Sequence, residues 1–185
     1  MSVETIISLF LGIGLAASTG FRVFLPLFAL SLASHYGVVP LNESWEWIGG
    51  MPALIALGIA MIVEIAAYYI PFVDNLLDAV AIPLAAIAGT AVMASTLVDV
   101  SPLVSWGLAI IAGGGTATAI TTSTAATRLA SSAKTGGIGN SVVSTAETGT
   151  ALTLSSLSIF VPIVALLFVL LIFVVLYKVV RKFRK

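Results

Sequence analysis

The hydrophobic positions of the chain fall into five long apolar runs that are separated by shorter polar stretches. A helix that crosses a bilayer needs about 20 mostly apolar residues, and each run is long enough. The runs cover residues 4–34, 51–70, 73–98, 103–132 and 152–178. This pattern predicts an all-α protein, a polytopic bundle of transmembrane helices that forms a single integral membrane domain over residues 1–185.

Two of the runs contain residues that interrupt a helix. Residues 4–34 exceed one simple span and include Gly20 and Pro26, while residues 103–132 include three consecutive glycines, 113–115. We therefore expect both runs to be broken, either as kinked spanning helices or as re-entrant hairpins of two half-helices. A re-entrant backbone is tolerated where it is buried in protein or lines a cavity. The sequence leaves both alternatives open.

The connections between the runs are uneven in length. The second and third runs are joined by a very short link at Pro71, which the first turn of a helix accepts, and this predicts a tight antiparallel hairpin. Residues 133–151 are polar and glycine-rich, and they are predicted to form a loop. Residues 116–158 are rich in Ser and Thr, whose hydroxyls either bond to their own helix carbonyls or line a hydrated path beside Arg128. The position of Arg128 favours the hydrated path.

Composition excludes several classes of protein. Charged residues make up 9% of the chain and the mean hydropathy is +1.17, whereas soluble domains have about 25% charged residues. A soluble domain and a disordered chain are both excluded. The net charge of +0 and the absence of a basic patch indicate no nucleic-acid partner. With no cysteine and one histidine, we expect no metal centre and no cofactor.

The basic residues predict an orientation. Five of the eight lie in the tail 178–185, and the positive-inside rule places that tail in the cytoplasm. With five spans the N-terminus lies on the opposite side, and it does so too if both broken runs are re-entrant. If only one of them is re-entrant, the N-terminus is cytoplasmic.

Charged residues inside the apolar runs are the main functional signal. A charge at the centre of a membrane helix costs roughly 2.5 to 3.5 kcal/mol on insertion scales, and such groups usually pair or face a wet cavity. Glu64 lies deep in the second run, and Asp74 and Asp78 share one helix face because they are four residues apart. The predicted substrate- or ion-binding residues are Arg22, Glu64, Asp74, Asp78, Arg128 and Glu147.

The two arginines have similar surroundings in the sequence. Arg22 and Arg128 each follow a Ser-Thr pair late in a glycine-interrupted run, and each is followed by an acid, Glu64 or Glu147. This suggests an internal repeat of two similar halves. Repeats with broken helices are typical of transporters, whose binding sites lie near the middle of the membrane.

Three stretches resemble a known family. They are GIGLAASTGFRVFLPLFAL from Gly12 to Leu30, VEIAAYYIPFVDNLLDAV from Val63 to Val80, and Arg128 followed by GGIGNSVVSTAETG. They are similar to the opening, the Glu…Ile-Pro-x-x-Asp…Asp block and the Arg-then-Asn-Ser-Glu region of the bacterial membrane family known as domain of unknown function 4126. One departure is the pair Tyr68 and Tyr69, where a polar or charged pair is expected. The resemblance implies a small polytopic protein of the bacterial cytoplasmic membrane, implies no activity, and points to the same six residues.

These features favour a transporter or channel for a small solute, ion or lipid over two alternatives. In a transporter, arginines hold an anionic group and acids carry protons or cations. The alternatives are a structural or assembly subunit and, less favoured, a membrane enzyme acting on a lipid phosphate; we expect no enzyme. The expected partners are membrane lipids and further copies of the chain in a homo-oligomer, and the transported substrate is left open.

Overall fold

The computed structural model describes residues 2–183, without the side chains of residues 71, 72, 75, 179, 180, 182 and 183. Across this range the protein is helical and contains no strand. The helices are α1 Val3–Thr19, α2 Phe24–His35, α3 Met51–Ala67, α4 Pro71–Thr96, α5 Pro102–Leu108, α6 Gly115–Thr135, α7 Asn140–Phe160 and α8 Pro162–Phe183. A 3₁₀ helix, Glu43–Gly49, precedes α3, and a π-helical turn, Ala109–Gly114, joins α5 to α6.

The first apolar run is a hairpin of two antiparallel helices. α1 ends at Thr19 and α2 begins at Phe24, so residues 20–23 form the tip of the hairpin. Beyond α2, the backbone N–H of Asn42 donates to the carbonyl of Ser95 at 2.9 Å, close to where Gly12 packs against Thr96. Both open ends of the hairpin therefore lie beside the C-terminal end of α4. Of the two alternatives left by the sequence, the structure has the hairpin and not the kinked helix.

Five helical rods pack around this hairpin with alternating directions. α3 runs antiparallel to α2, since Gly58 packs on Phe28 and Glu64 reaches Phe24. The rods α4, α5–α6, α7 and α8 follow in turn, and α1 packs against α4, α7 and α8. The loop 136–139 and the C-terminal part of α8 lie at one end of the bundle, here called the tail end. The open ends of the hairpin lie at the other, the open end.

Among the residues that the structure describes, two helical segments are long and apolar enough to cross a membrane, Leu76–Thr96 and Pro102–Thr135. The count is three if the 3₁₀ helix and α3, which meet at 63°, form one bent span. The protein is thus an all-helical membrane protein with two to three candidate spans. The predicted number of about five is not reached by this criterion.

The fourth run is not broken, which corrects the sequence prediction. Residues 102–135 form one helical segment, in which Gly113 and Gly114 end a π-helical turn and Gly115 begins α6. A Cβ atom at Gly113 would collide with the carbonyl oxygen of Gly89 and with Met93. The small residues thus allow α4 and this segment to pack backbone to backbone, as is common between membrane helices. Close packing explains Gly113 and Gly114 without any interruption of the helix.

The predicted loop 133–151 is wrong for most of its length. α7 begins at Asn140, so the loop is only residues 136–139, where Gly136 and Gly137 have positive φ angles of 61° and 92°. The polar side chains remain compatible with a helix because their hydroxyls donate to carbonyls four residues earlier, as Thr145 does to Ser141. The predicted fifth helix, 152–178, is correspondingly divided between α7 and α8, and Pro162 starts the second of these.

The predicted tight hairpin of the second and third runs is also wrong. α3 packs on α2 and on the 3₁₀ helix, while α4 packs on α1, α6 and the π-helical turn. The short link at Pro71 does reverse the chain, but the carboxylate of Glu64 attaches α3 to the hairpin tip. This attachment is not visible in the sequence, because Glu64 is 41 and 40 residues away from its partners Val23 and Phe24.

Candidate functional site

The six charged residues predicted from the sequence all meet in one cluster at the tip of the hairpin. Arg22 comes from the tip itself and the others from α3, α4, α6 and α7. Their exposed fractions are 1% for Arg22, 8% for Glu64, 1% for Asp74, 2% for Arg128 and 5% for Glu147, while Asp78 is half-buried. Five of the six charges are thus buried, and we call this group of six residues the charge cluster.

Glu147 lies between the two arginines. Its Oε2 is 3.3 Å from Nη1 of Arg22, and its Oε1 accepts a hydrogen bond from Nε of Arg128 at 3.2 Å. A second, very short contact joins Nη2 of Arg128 to Oε2. The carboxylate therefore binds Arg128 in the two-pronged geometry that guanidinium groups favour, and it holds Arg22 at the same time.

The guanidinium of Arg22 is further bound to α7. Its Nε donates to the hydroxyl of Thr148 at 2.9 Å, and its Nη2 donates to the carbonyl and the hydroxyl of Ser144. Nη1 also approaches the carbonyl of Phe21 at 3.5 Å. All three nitrogens of Arg22 thus have partners within the protein, and they fix the hairpin tip against α7.

Arg128 pairs with the first two turns of α4. Its Nη1 donates to Oδ1 of Asp74, and its Nε lies 3.8 Å from Oδ1 of Asp78. The other oxygen of Asp74 accepts from Nδ2 of Asn140 at 2.9 Å, and that amide also donates to Ser132. The remaining amide oxygen, Oδ1 of Asn140, is buried without a hydrogen-bond partner among the residues that the structure describes.

Glu64 has a different role from the other acids. Its two carboxylate oxygens accept the backbone N–H groups of Val23 and Phe24, at 2.7 and 3.0 Å. The first N–H groups of a helix have no partner within the helix, and Val23 offers no side-chain cap to α2. Glu64 supplies the missing acceptor, and its charge suits the positive end of the α2 dipole. It forms no salt bridge with Arg22 or with Arg128 at the 4.0 Å limit.

Sequence reasoning missed four neighbours of the charge cluster. The ring of Tyr68 lies under both guanidiniums, with its centroid 4.1 Å from Cζ of Arg22 and 4.3 Å from Cζ of Arg128, which is within cation–π range. The other three, Asn140, Ser144 and Thr148, share one face of α7 with Glu147. Their spacing of four residues would have revealed them had the segment been recognised as a helix.

A small cavity adjoins the cluster. It has a volume of about 10 Å³, which is close to the minimum that holds one water molecule. Its lining includes the acids Glu64 and Asp78 and the hydroxyl residues Thr121 and Thr124. In the described part of the chain, no group of three or more Asp, Glu or His side chains is arranged to hold a metal ion.

Most of the hydroxyls next to Arg128 donate to carbonyls of their own helix, and the predicted hydrated path stays a prediction. Thr122, Ser123 and Thr127 each donate to the carbonyl four residues earlier in α6. Thr121 also donates to the carbonyl of Gly20 at 3.0 Å, which ties α6 to the hairpin tip. Most of these hydroxyls therefore satisfy their hydrogen-bonding needs within the helix, which is the simpler of the two alternatives.

One known family matches a range of the chain that includes the whole charge cluster. A family model described as "Domain of unknown function (DUF4126)" matches residues 9–182, which include all six charged residues. The chain belongs to this family. No curated protein and no solved structure matches it. The resemblance noted in three stretches of the sequence is confirmed, and the family assigns no activity to the charge cluster.

Proposed function

We propose that this DUF4126 protein is a small carrier or channel of the bacterial cytoplasmic membrane, and that its substrate or coupling ion binds at the charge cluster. The observation that supports the proposal is the burial of two arginines and three carboxylates, with a fourth half-buried, around the tip of a helical hairpin. Buried ion pairs often stabilise a protein less than apolar residues of similar volume would. Ionisable residues inside membrane helices most often mark the path of an ion or substrate.

The alternating directions of the helices support a specific topology. We propose that the α1–α2 hairpin enters the membrane without crossing it and that α3, α4, α5–α6, α7 and α8 cross it five times. The basic residues Lys178 and Arg181 then place the tail end in the cytoplasm and the open end outside. One re-entrant run alone would have made the N-terminus cytoplasmic, but the extra crossing by α7 places it outside. A broken helix at the site is also typical of transporters.

The internal repeat stays a prediction. Arg22 lies at the tip of a hairpin and Arg128 lies within a continuous helix, so the two arginines reach Glu147 from unlike elements. Homo-oligomerisation is proposed because α3 exposes Ile55, Ile59 and Ile62 along one face. Membrane lipids would cover the remaining outer surface, and native mass spectrometry would give the number of subunits.

The proposal is tested by flux into liposomes that contain the purified protein. Proton and alkali-ion fluxes are measured with pH-sensitive and ion-sensitive dyes for the wild type, Glu64→Gln and Glu43→Gln. Glu43 is an exposed acid on the 3₁₀ helix and serves as the matched control. We expect flux in the wild type and the control and none in Glu64→Gln, whose folding is checked by circular dichroism. Equal flux in all three proteins would exclude Glu64 from the transport mechanism.

A structural or assembly subunit is the second candidate. It is favoured by the completeness of the arginine contacts, since Arg22 and Arg128 both use their nitrogens on protein acceptors. Under this alternative, wild-type liposomes show no flux above empty ones, and Glu64→Gln changes only the thermal stability. No observation favours the third candidate, a metal-assisted lipid-phosphate enzyme, among the described residues.

A further inference from the structure

We infer that the charge cluster takes up a small monovalent cation, supplied as a proton or as an alkali ion, and that it does not bind an anion. The inference rests on the proposed function, because it names the chemical class of what binds there. Three independent features of the cluster support it: its balance of charges, the use of its hydrogen-bond donors and one unpartnered buried oxygen.

The balance of charges is negative. Two guanidiniums, Arg22 and Arg128, face four carboxylates, and no other Lys or Arg forms a salt bridge with these acids among the described residues. Pairing Arg22 with Glu147 and Arg128 with Asp74 leaves Glu64 without a salt bridge. Asp78 shares Arg128, at 3.8 Å, with two other acids, so two of the four carboxylate charges are not balanced. An uncompensated buried charge is strongly unfavourable, so the cluster is expected to acquire positive charge.

The hydrogen-bond donors of the cluster are already used. Each nitrogen of Arg22 contacts Ser144, Thr148, Glu147 or the carbonyl of Phe21. Each nitrogen of Arg128 contacts Asp74 or Glu147. A phosphate or carboxylate would have to displace a carboxylate of the protein to reach either guanidinium. The arrangement therefore opposes the expectation, drawn from the sequence, that the arginines hold an anionic group.

The buried oxygen Oδ1 of Asn140 also lacks a hydrogen-bond donor among the described residues. Oδ1 of Asn140 is buried in a residue that is 4% exposed, and it is on the same amide group that donates to Asp74. Turning the amide over would bring this oxygen against the carboxylate of Asp74, so a reversed amide does not remove the problem. Buried acceptors are almost always paired in native proteins. A cation or a water molecule bound beside Asp74 would supply the partner that this oxygen lacks among the described residues.

The small cavity beside the charge cluster is the proposed binding position of the cation. Glu64 and Asp78, the two acids whose charges the arginines do not balance, both line it. The rest of its polar lining includes Arg128, Glu147, Thr121 and Thr124. Its volume of about 10 Å³ suits a single small cation or water molecule and no larger solute. Since Glu64 also holds the N–H groups of Val23 and Phe24, a cation bound here competes for the carboxylate that fixes the hairpin tip.

The test is the thermal unfolding of the purified full-length protein in detergent, which requires no transport. Sodium and potassium chloride are titrated against N-methylglucamine chloride at constant ionic strength, at two values of pH. If an alkali ion is the ligand, we expect a saturable rise in Tm of about 5 °C at a hundredfold excess over Kd. If a proton is the ligand, the alkali ions have no effect, Tm rises as the pH falls, and proton uptake accompanies the rise.

Matched variants identify the site. We expect Asp78→Asn, a change at a half-buried position, to lose whichever response the wild type shows, and Thr124→Val to weaken it. Glu43→Gln should keep the response. An equal response in the wild type and Asp78→Asn would overturn the assignment, as would no response to any cation. A saturable rise in Tm with the N-methylglucamine salt of phosphate would also overturn it.

The unfolding experiment can fail or succeed independently of the flux experiment that tests the proposed function. A cation response without flux in liposomes would leave the cation site standing and remove the carrier. Flux of another solute, without any cation response in the unfolding experiment, would leave the carrier standing and overturn the cation inference.

Discussion

The carboxylate of Glu64 on α3 accepts the backbone N–H of Phe24, the first residue of α2, at 3.0 Å. The same carboxylate also accepts the N–H of the preceding residue, so one acid from a distant helix caps the half-helix that begins at the hairpin tip. This contact makes Glu64 part of the architecture as well as part of the charge cluster. Mutations in the cluster must therefore be assessed for folding before they are assessed for function.

Replacing Glu64 should destabilise the hairpin tip, and alanine should do so more than glutamine. Glu64→Ala leaves two buried N–H groups without an acceptor, and each such group costs about 1–3 kcal/mol. Glu64→Gln retains one oxygen acceptor and should lose less. We expect Tm in detergent to follow the order wild type, Gln, Ala, with proteolysis near residues 20–24 rising in the same order. Glu43→Ala is the control, and a Tm for Glu64→Ala equal to that of the control would contradict the capping role.

Removing Arg128 should be the most damaging single change in the charge cluster. Arg128→Ala leaves Asp74 and Glu147 buried with only Arg22 nearby, and breaking a buried ion pair from one side costs about 3–5 kcal/mol. Arg128→Lys should recover little, because an ammonium group cannot bind Glu147 through two nitrogens. Denaturation of purified variants measures both effects. Lys134→Ala, at an exposed position six residues further along the chain, should be close to wild type.

The contact between α4 and the π-helical turn predicts a glycine-specific effect. A Cβ atom at Gly113 meets backbone and side-chain atoms of α4, whereas one at Gly115 meets nothing within 4 Å. We expect Gly113→Ala to destabilise by about 1–3 kcal/mol through overpacking. Gly115→Ala should be neutral or slightly stabilising, because alanine favours a helix. Thermal unfolding of the two variants measures this difference in stability. Equal Tm values would show that α4 shifts to accommodate the added Cβ atom at little cost.

The proposed topology predicts the side from which new cysteines react. The natural chain has no cysteine, so each introduced thiol is unique. Tyr36→Cys at the open end should react with a membrane-impermeant maleimide added to intact spheroplasts. Ile138→Cys, in the loop at the tail end, should react only after the membrane is permeabilised. Both positions are exposed. Reaction of both from the same side would contradict an odd number of crossings between them.

The membrane class, the helical architecture and the six residues of the charge cluster were all predictable from the sequence. The reason is local in each case. Apolar runs of membrane length exclude other classes, and a charge such as Glu64 or Arg128 in such a run is costly wherever the rest of the chain lies. The same argument could not identify Tyr68, because an aromatic residue near the end of an apolar helix is ordinary until two guanidiniums are found beside its ring.

The tertiary structure decided how these pieces are joined. Ser, Thr and Gly are weak helix formers, so the sequence of residues 140–151 resembles that of a loop. In the structure the helix is stabilised because hydroxyls donate to helix carbonyls and because Ser144, Glu147 and Thr148 bind Arg22. Glu64 caps the N-terminus of α2, and the glycines of the π-helical turn allow close contact with the backbone of α4. These are contacts between residues far apart in the chain. Local propensity and hydrophobic periodicity carry no information about such contacts, which depend on which helices come to lie side by side.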